Sequence, residues 1–444
     1  MLKIALESLG CSKNLVDAEI MMGILNKKGY KLTGDFEEAD VILVNTCGFI
    51  ESAKQESIDT IIEFANLKET GNLKLLIVTG CLAQRYSDEL KQEIPEIDAI
   101  VGTGSYQNID EILEGLQKEK QIVSLKDIEV VYNEDLPRYV STPEYMAYLK
   151  ISEGCDKHCT YCIIPKLRGK QKSRKIEDIL EEAKMLASKG IKELIVIAQD
   201  TTKYGIDIYG EPKLVDLLQE LSKINGIEWI RFLYSYPEGI SDELIDLVAE
   251  NNKIAKYFDI PIQHISDNIL KKMNRKTSKN DIQNLLKKIR AKIPDVVLRT
   301  SLIVGFPGET ENDFSELLDF IKETKFDKLG AFMYSKEEGT PAAKLDNQIH
   351  GNTKKARYNR LMKIQQDISK ENLEKRVGRV CRVLIENVSF DRKFFVGRTM
   401  QDAPDIDGVV FIKNSGDLDL VDKFVLCRIT DISNSYDFIA SLEK

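Results

Sequence analysis

Three cysteines set the first constraint on how this chain folds. Cys11, Cys47 and Cys81 stand 36 and 34 residues apart, and each directly follows a strand-like run, at 4–10, 41–46 and 75–80. An interval of about 35 residues is one strand, crossover helix and return. The runs therefore read as successive strands of a parallel sheet, with three thiols leaving the same edge, where open α/β sheets bind ligands. Taken alone, each reads equally well as a small buried hydrophobe; three at equivalent strand ends point to a three-thiolate site.

A run at 99–101 continues the alternation, so residues 1–118 are expected to form a Rossmann- or flavodoxin-like parallel-sheet domain. Between 119 and 143 the helical period dissolves and Pro137 and Pro143 punctuate the chain, as in a linker. From 144 to 374, six apolar runs (146–151, 194–198, 230–235, 257–262, 296–304, 329–334) alternate with loops and helical patterns. That rhythm predicts a partial (β/α)6 barrel of the TIM kind, working at the C-terminal ends of its strands. A helix from Thr353 to about Arg376, capped by Asn352 or Thr353, leads out of it. Residues 375–444 hold five short β-rich runs between Asp, Asn and Gly turns, the pattern of a small antiparallel, OB-like barrel.

Cys155, Cys159 and Cys162 form C-x3-C-x2-C in the loop after the first barrel strand. Thiolates are the usual ligands of iron-sulfur clusters, and three close in sequence take three irons of a cubane while leaving the fourth open. A Cys3His zinc site with His158 is the alternative, but His158 adjoins Cys159 and cannot easily turn to the same ion. Cys381 and Cys427 lie inside strand runs and read as core or edge residues.

With 43% apolar residues and a net charge of −9, the composition is that of a soluble globular chain. The apolar runs at 41–44 and 75–78 are far shorter than the roughly 18 residues a membrane span needs, and residues 1–7 read as a strand, not an export signal. The expected location is the cytoplasm, where clustered cysteines hold metal more often than disulfides. Phosphate-binding G-K-[ST], H-E-x-x-H and G-x-S-x-G are absent, and Gly102-Thr103-Gly104 lacks the third glycine of a dinucleotide fingerprint. His264 reads as a packing residue. Lys166, Arg168, Lys170, Lys172, Arg174 and Lys175 read as a mainly solvated run, with room for one cation facing a cofactor carboxylate.

C-x3-C-x2-C after the first strand of a βα barrel resembles the radical S-adenosylmethionine superfamily. Gln199-Asp200-Thr201-Thr202, Ser235-Tyr236-Pro237, Pro261-Ile262-Gln263-His264 and Gly305-Phe306-Pro307-Gly308-Glu309, each after a later strand, are similar to it too. With the N-terminal cysteines and the C-terminal barrel, the whole chain resembles the methylthiotransferases. Ser8-Leu9-Gly10-Cys11-Ser12-Lys13-Asn14, Asn45-Thr46-Cys47-Gly48-Phe49-Ile50 and Thr79-Gly80-Cys81-Leu82 look like the RimO branch, with Ser12 and Ala18 where Pro and Ser are commoner.

The resemblance implies a methylthio group added to the β-carbon of an aspartate in small-subunit ribosomal protein S-twelve. It implies two 4Fe-4S clusters, a radical one on Cys155, Cys159 and Cys162 and an auxiliary one on Cys11, Cys47 and Cys81. S-adenosylmethionine would serve as radical source and as methyl donor, contacted by Tyr161, Gln199, Ser235, Gln263, Gly305, Gly308 and Glu309, with no side chain acting as acid or base. The C-terminal barrel would be a TRAM domain. An external electron donor and a sulfur source are implied, with the chain acting as a monomer. The sister branch, which modifies adenosine in transfer RNA, and a non-enzymatic iron-sulfur or zinc protein are the rivals.

The charge of the C-terminal module bears on the substrate. Residues 375–400 carry seven basic and two acidic residues, while 401–444 carry four and nine. With no net basic surplus, nucleic-acid recognition is not expected. Asp402, Asp405, Asp407, Asp417, Asp419 and Asp422 are instead expected to form an exposed acidic face that docks a basic protein.

Overall fold

The computed structural model describes residues 2–116, 118–129, 136–414 and 419–443. The first sheet contains β1 (Lys3–Ser8), β2 (Lys31–Leu32), β3 (Val41–Thr46), β4 (Leu75–Gly80), β5 (Ala99–Val101) and β6 (Ile122–Ser124), in the spatial order β2-β1-β3-β4-β5-β6 with every pair parallel. Strand β3 is buried along its whole length, because helices cover both faces of such a sheet and a continuous Val/Ile/Leu run satisfies both. The chain order reverses between β1 and β3, the switch point at which flavodoxin-like sheets bind ligands. Strand β6 lies in the segment expected to be a linker, so the sheet runs past residue 118. Further along that segment, Arg138 is buried and donates to Glu19 (2.8 Å) and Glu182 (2.6 Å), tying the first domain to the second.

The second domain carries six parallel strands: β7 (Met146–Lys150), β10 (Glu193–Ile197), β11 (Trp229–Phe232), β12 (Tyr257–Asp259), β13 (Val297–Val304) and β14 (Lys328–Met333). A short antiparallel pair, β8 (Ser152–Glu153) and β9 (Lys172–Ser173), brackets the cysteine loop. The six strands hydrogen-bond as β11-β10-β7 and β12-β13-β14, and the two groups meet where Ile230 bridges Ile254, giving the open barrel expected. Ala147, Leu149, Leu194, Val196, Ile230 and Phe232 pack toward the outer helices, while Met146, Tyr148, Ile195, Ile197 and Trp229 face the other way. The long exit helix spans Gly351–Glu374, and its cap is His350, whose Nδ1 accepts from the Asn352 amide (3.2 Å).

The last strands, β15 (Val380–Val388), β16 (Phe394–Thr399), β17 (Val410–Lys413), β18 (Phe424–Ile432) and β19 (Phe438–Leu442), close a barrel in the order β15-β16-β17-β19-β18. It is not wholly antiparallel: β17 and β19 run parallel, since a ring of five strands cannot alternate direction throughout.

This barrel seals the floor of the second domain. Trp229 stacks edge-on with Phe424 at 4.7 Å, and Arg231 donates to the carbonyls of Met400 (2.9 Å) and Asp402 (3.0 Å). Arg398 and Arg231 share the fully buried Glu193, the first residue of β10. The expected acidic face is dismantled by this docking. Asp402 is buried on Lys328 (2.8 Å) and Thr399 (2.6 Å), and Asp407 accepts from the Tyr257 hydroxyl (2.7 Å) and the Ala403 amide. Asp405 and Asp419 remain exposed, Asp422 is half-buried, and Asp417 lies outside the described residues.

Candidate active site at the junction of two domains

Cys11 follows β1 and precedes the helix Ser12–Lys27, Cys47 follows β3, and Cys81 opens the helix Cys81–Arg85 after β4. Two glycines let these strand ends converge. A Cβ on Gly10, whose φ is +91°, would lie 2.8 Å from Cys47 Cβ, and one on Gly48 would lie 2.9 Å from the Cys81 carbonyl. Asn14 then ties the three ends together. Its amide donates to the carbonyls of Leu9 (3.1 Å) and Thr46 (2.9 Å), its own carbonyl accepts from Asn45 (2.7 Å), and Cys81 Sγ lies 3.9 Å from its Oδ1. Burial pushes the Cys47 thiol up to about 12 and raises that of Cys81, against which Arg168 works in the other direction.

The second trio occupies one loop. The Cys155 amide donates to Gly169 (3.1 Å) and the Cys162 amide to Cys159 (3.0 Å), while Gly154, at φ +77°, passes so close to Lys170 that a Cβ would meet its carbonyl at 2.0 Å. Arg275 Nη1 stands 3.9 Å from Cys159 Sγ, and its guanidinium stacks on Tyr236 at 4.3 Å. Burial raises the thiols of Cys155 to about 11 and Cys162 to about 12. A cavity of about 450 Å³ opens beside Cys155 and Cys159, lined also by Asp200, Tyr236, Glu238 and Arg275. His158 is an exposed wall of it, its carbonyl bonded to Asn274. All eight cysteines are free of disulfides. Among the described residues no three Cys, His, Asp or Glu groups are gathered around the space of one metal ion.

The expected cofactor contacts divide. Tyr161 packs against Ile269, Met273, Phe306, Tyr334 and Ala342 beside the loop. Gln199 donates to Glu153 (2.5 Å), and its Oε1, like Ser235 Oγ, is buried without a hydrogen-bond partner. Gln263 (φ +70°) and Tyr234 (φ +62°) hold left-handed backbone at strand ends, a strain that persists where surroundings over-determine it.

Gly305, Gly308 and Glu309 share one turn after β13. The space before the two glycines is taken by Lys354 and Lys272, whose side chains a Cβ would meet at 2.4 and 2.6 Å. Glu309 Oε2 accepts from the amides of Gly305 and Phe306, and its Oε1 lies 3.7 Å from His264 Nε2. His264 is fully buried, with Nδ1 accepting from Ser266, a packing residue as expected.

Between the trios lies a charge network that sequence spacing did not reveal. Lys150, at the end of β7, pairs with Asp17 and with Glu153 (3.0 Å); Arg168 pairs with Asp17 (2.6 Å) and Glu153 (3.0 Å). Lys13 stands 3.5 Å above the Tyr234 ring. Residues 13, 14 and 17 occupy one face of the helix Ser12–Lys27, a spacing that could have flagged them. The solvated basic run was misjudged at two positions, since Arg168 and Arg174 are buried. A latch closes the far side, where Glu337 takes Arg85 (2.9 Å) and Lys54 (3.2 Å) and Arg85 also donates to the Gly48 carbonyl (2.9 Å).

Comparison with known proteins gives this junction its setting. Residues 3–102 match the uncharacterized protein family UPF0004, 149–321 the radical SAM superfamily and 377–442 the TRAM domain. A ribosomal protein uS12 methylthiotransferase RimO of Clostridioides difficile is 65% identical over 442 residues, covering 100% of this chain and 99% of that protein. The chain belongs to the RimO family. A second RimO, from Alkaliphilus oremlandii, is 54% identical and covers 98% of both chains. Among solved structures, the radical S-adenosylmethionine methyltransferase TsrM of Kitasatospora setae aligns with a TM-score of 0.55 at 15% identity over 77% of this chain and 76% of its own. The cobalamin-dependent radical enzyme OxsB aligns at 0.53 and 14% identity, over 83% and 56%. Those two likenesses concern the fold alone, whereas RimO-family identity runs through all three domains.

Proposed function

We propose that this chain adds a methylthio group to the β-carbon of an aspartate in ribosomal protein uS12. The observation that carries the reading is identity above half to RimO relatives across essentially the whole chain. Cys155, Cys159 and Cys162 would hold one 4Fe-4S cluster and Cys11, Cys47 and Cys81 a second, each trio supplying three soft thiolates and leaving one iron open. The donor chemistry fits: six thiols free of disulfides, glycines that permit their approach, and unpartnered Ser235 Oγ and Gln199 Oε1 for the polar end of S-adenosylmethionine. When bound, these groups supply one-electron cleavage of S-adenosylmethionine and hydrogen abstraction from an unactivated carbon, while a second S-adenosylmethionine supplies the methyl group.

The chain's own residues bind, orient and exclude water. Arg275, held by Tyr236 and the Pro261 carbonyl (2.9 Å), keeps a positive charge against the Cys159 sulfur. Tyr161 and the apolar cluster behind it keep water from the loop. The first domain, latched through Arg85 and Glu337, places its trio over the open end of the barrel. An external reductant and a sulfur source complete the reaction. No helix among the described residues is long and apolar enough to cross a membrane; a ribosomal substrate and reduced thiols fit the cytoplasm, and the chain acts as a monomer.

The test is anaerobic reconstitution followed by incubation with S-adenosylmethionine, reductant and either uS12 protein or a transfer RNA extract. Methylthiolation of the aspartate peptide in the mass spectrum is the expected result. Thiolated adenosine with unmodified protein would overturn the substrate assignment.

A further inference from the structure

Arg168 ends the helix Ile164–Arg168, into which the Cys155–Cys162 loop runs, and only 4% of it is exposed. Its guanidinium makes three bonds, two of them to the other domain: Nη1 to Asp17 Oδ2 (2.6 Å) and to Glu153 Oε2 (3.0 Å), and Nη2 to Asn14 Oδ1. Asn14 is the side chain that ties the ends of β1 and β3, and its Oδ1 stands beside Cys81 Sγ. On the opposite side, Glu153 accepts from Gln199 at the mouth of the barrel. A single buried cation thus joins the helix behind one thiol trio to the hub of the other. Its planar fork meets acceptors in fixed directions, which a lysine ammonium cannot do.

We propose that Arg168 is the positioning residue that sets the N-terminal trio against the radical loop, so that sulfur delivery follows hydrogen abstraction without delay. The inference rests on reading both trios as cluster sites. Misplacement by about 1 Å costs on the order of 10²-fold in well-oriented reactions. Arg168→Gln should therefore lower methylthiolated product per S-adenosylmethionine cleaved by about that factor, with total iron near the wild-type count. Magnetic coupling between the two reduced clusters should weaken in parallel. Arg168→Lys keeps charge and approximate volume and so protects folding; the product-to-cleavage ratio should fall by about tenfold.

Arg398→Gln is the control. It removes another buried arginine, one on the floor of the barrel away from both trios, paired with Glu386 (2.6 Å) and Glu193, and should lower the melting temperature without changing the ratio. A wild-type ratio and wild-type coupling in both Arg168 variants would overturn the proposal, as would an equal loss of ratio in Arg398→Gln. A wild-type protein that cleaves S-adenosylmethionine yet binds only about four irons would instead overturn the two-cluster reading itself.

Discussion

The two cysteine trios arrive at the domain junction by opposite routes. One lies within eight residues of a single loop, so local backbone turns and one glycine at positive φ are enough to keep it at one strand end. The other draws on three strand ends separated by whole βα repeats and comes together only when the sheet is ordered β1-β3-β4 and Asn14 bridges the gaps. The loop trio is written in sequence distance, and the strand-end trio in topology. The first should tolerate damage to its neighbours, and the second should fail whenever its domain shifts.

The largest effects test this contrast directly. Replacing Cys155, Cys159 and Cys162 together by Ala should abolish S-adenosylmethionine cleavage and reduce iron from about eight to about four per chain. The same treatment of Cys11, Cys47 and Cys81 should halve the iron but spare cleavage, while methylthiolation vanishes. Iron analysis with product chromatography reads both, and unchanged iron in the second variant would break the comparison.

Asp17→Asn comes next, since it leaves buried Lys150 and Arg168 short of an anion at a cost of about 3–5 kcal/mol. Calorimetry should show a lower melting temperature, and product yield should suffer more than cleavage. Gly10→Ala forces strain of about 1–3 kcal/mol into a left-handed position packed on Cys47, so iron should leave the strand-end trio first.

The smallest effect uses acid. Burial alone would raise the Asp313 carboxyl, but hydrogen bonds from Ser266 and Thr310 outweigh it and hold the group at about 2, below its ordinary 3.8. The stabilisation of the helix Glu311–Thr324 is thus complete above about pH 4 and lost as pH falls toward 2, amounting to about 1–2 kcal/mol. Glu153, against Arg168 and Lys150, is held lower still. Acid should loosen the barrel mouth before the junction, and hydrogen exchange by segment would report the order.

Much of this was readable in the residues. The strand ends that carry Cys11, Cys47 and Cys81, all six barrel strands and the five C-terminal strands could be placed from periodicity and spacing, because strand period and turn residues are local signals. The sixth strand of the first sheet was not, since Ile122–Ser124 is three residues long and half-exposed, with no alternation to detect. Arg168 and Asp402 looked solvated for the same underlying reason. Each charge is buried by a partner far along the chain, Asn14 at 154 positions in one case and Lys328 at 74 in the other, and no short window of sequence contains both. At Gly305 and Gly308 the lysine side chains that stand before each glycine, Lys354 and Lys272, were likewise beyond the reach of local pattern.

The floor of the barrel also dictates an order of events in the life of the chain. Glu193 and Arg398, paired and buried in the finished protein, are 205 residues apart. Arg231, 38 residues on, can meet the carboxylate early, but at roughly 5–20 residues per second of synthesis the second arginine follows on the order of 10–40 s after Glu193. The first sheet, by contrast, has its last strand by residue 124. A nascent molecule therefore carries a finished first sheet beside a barrel whose underside is still open to water, and only the C-terminal barrel turns it into a sealed vessel.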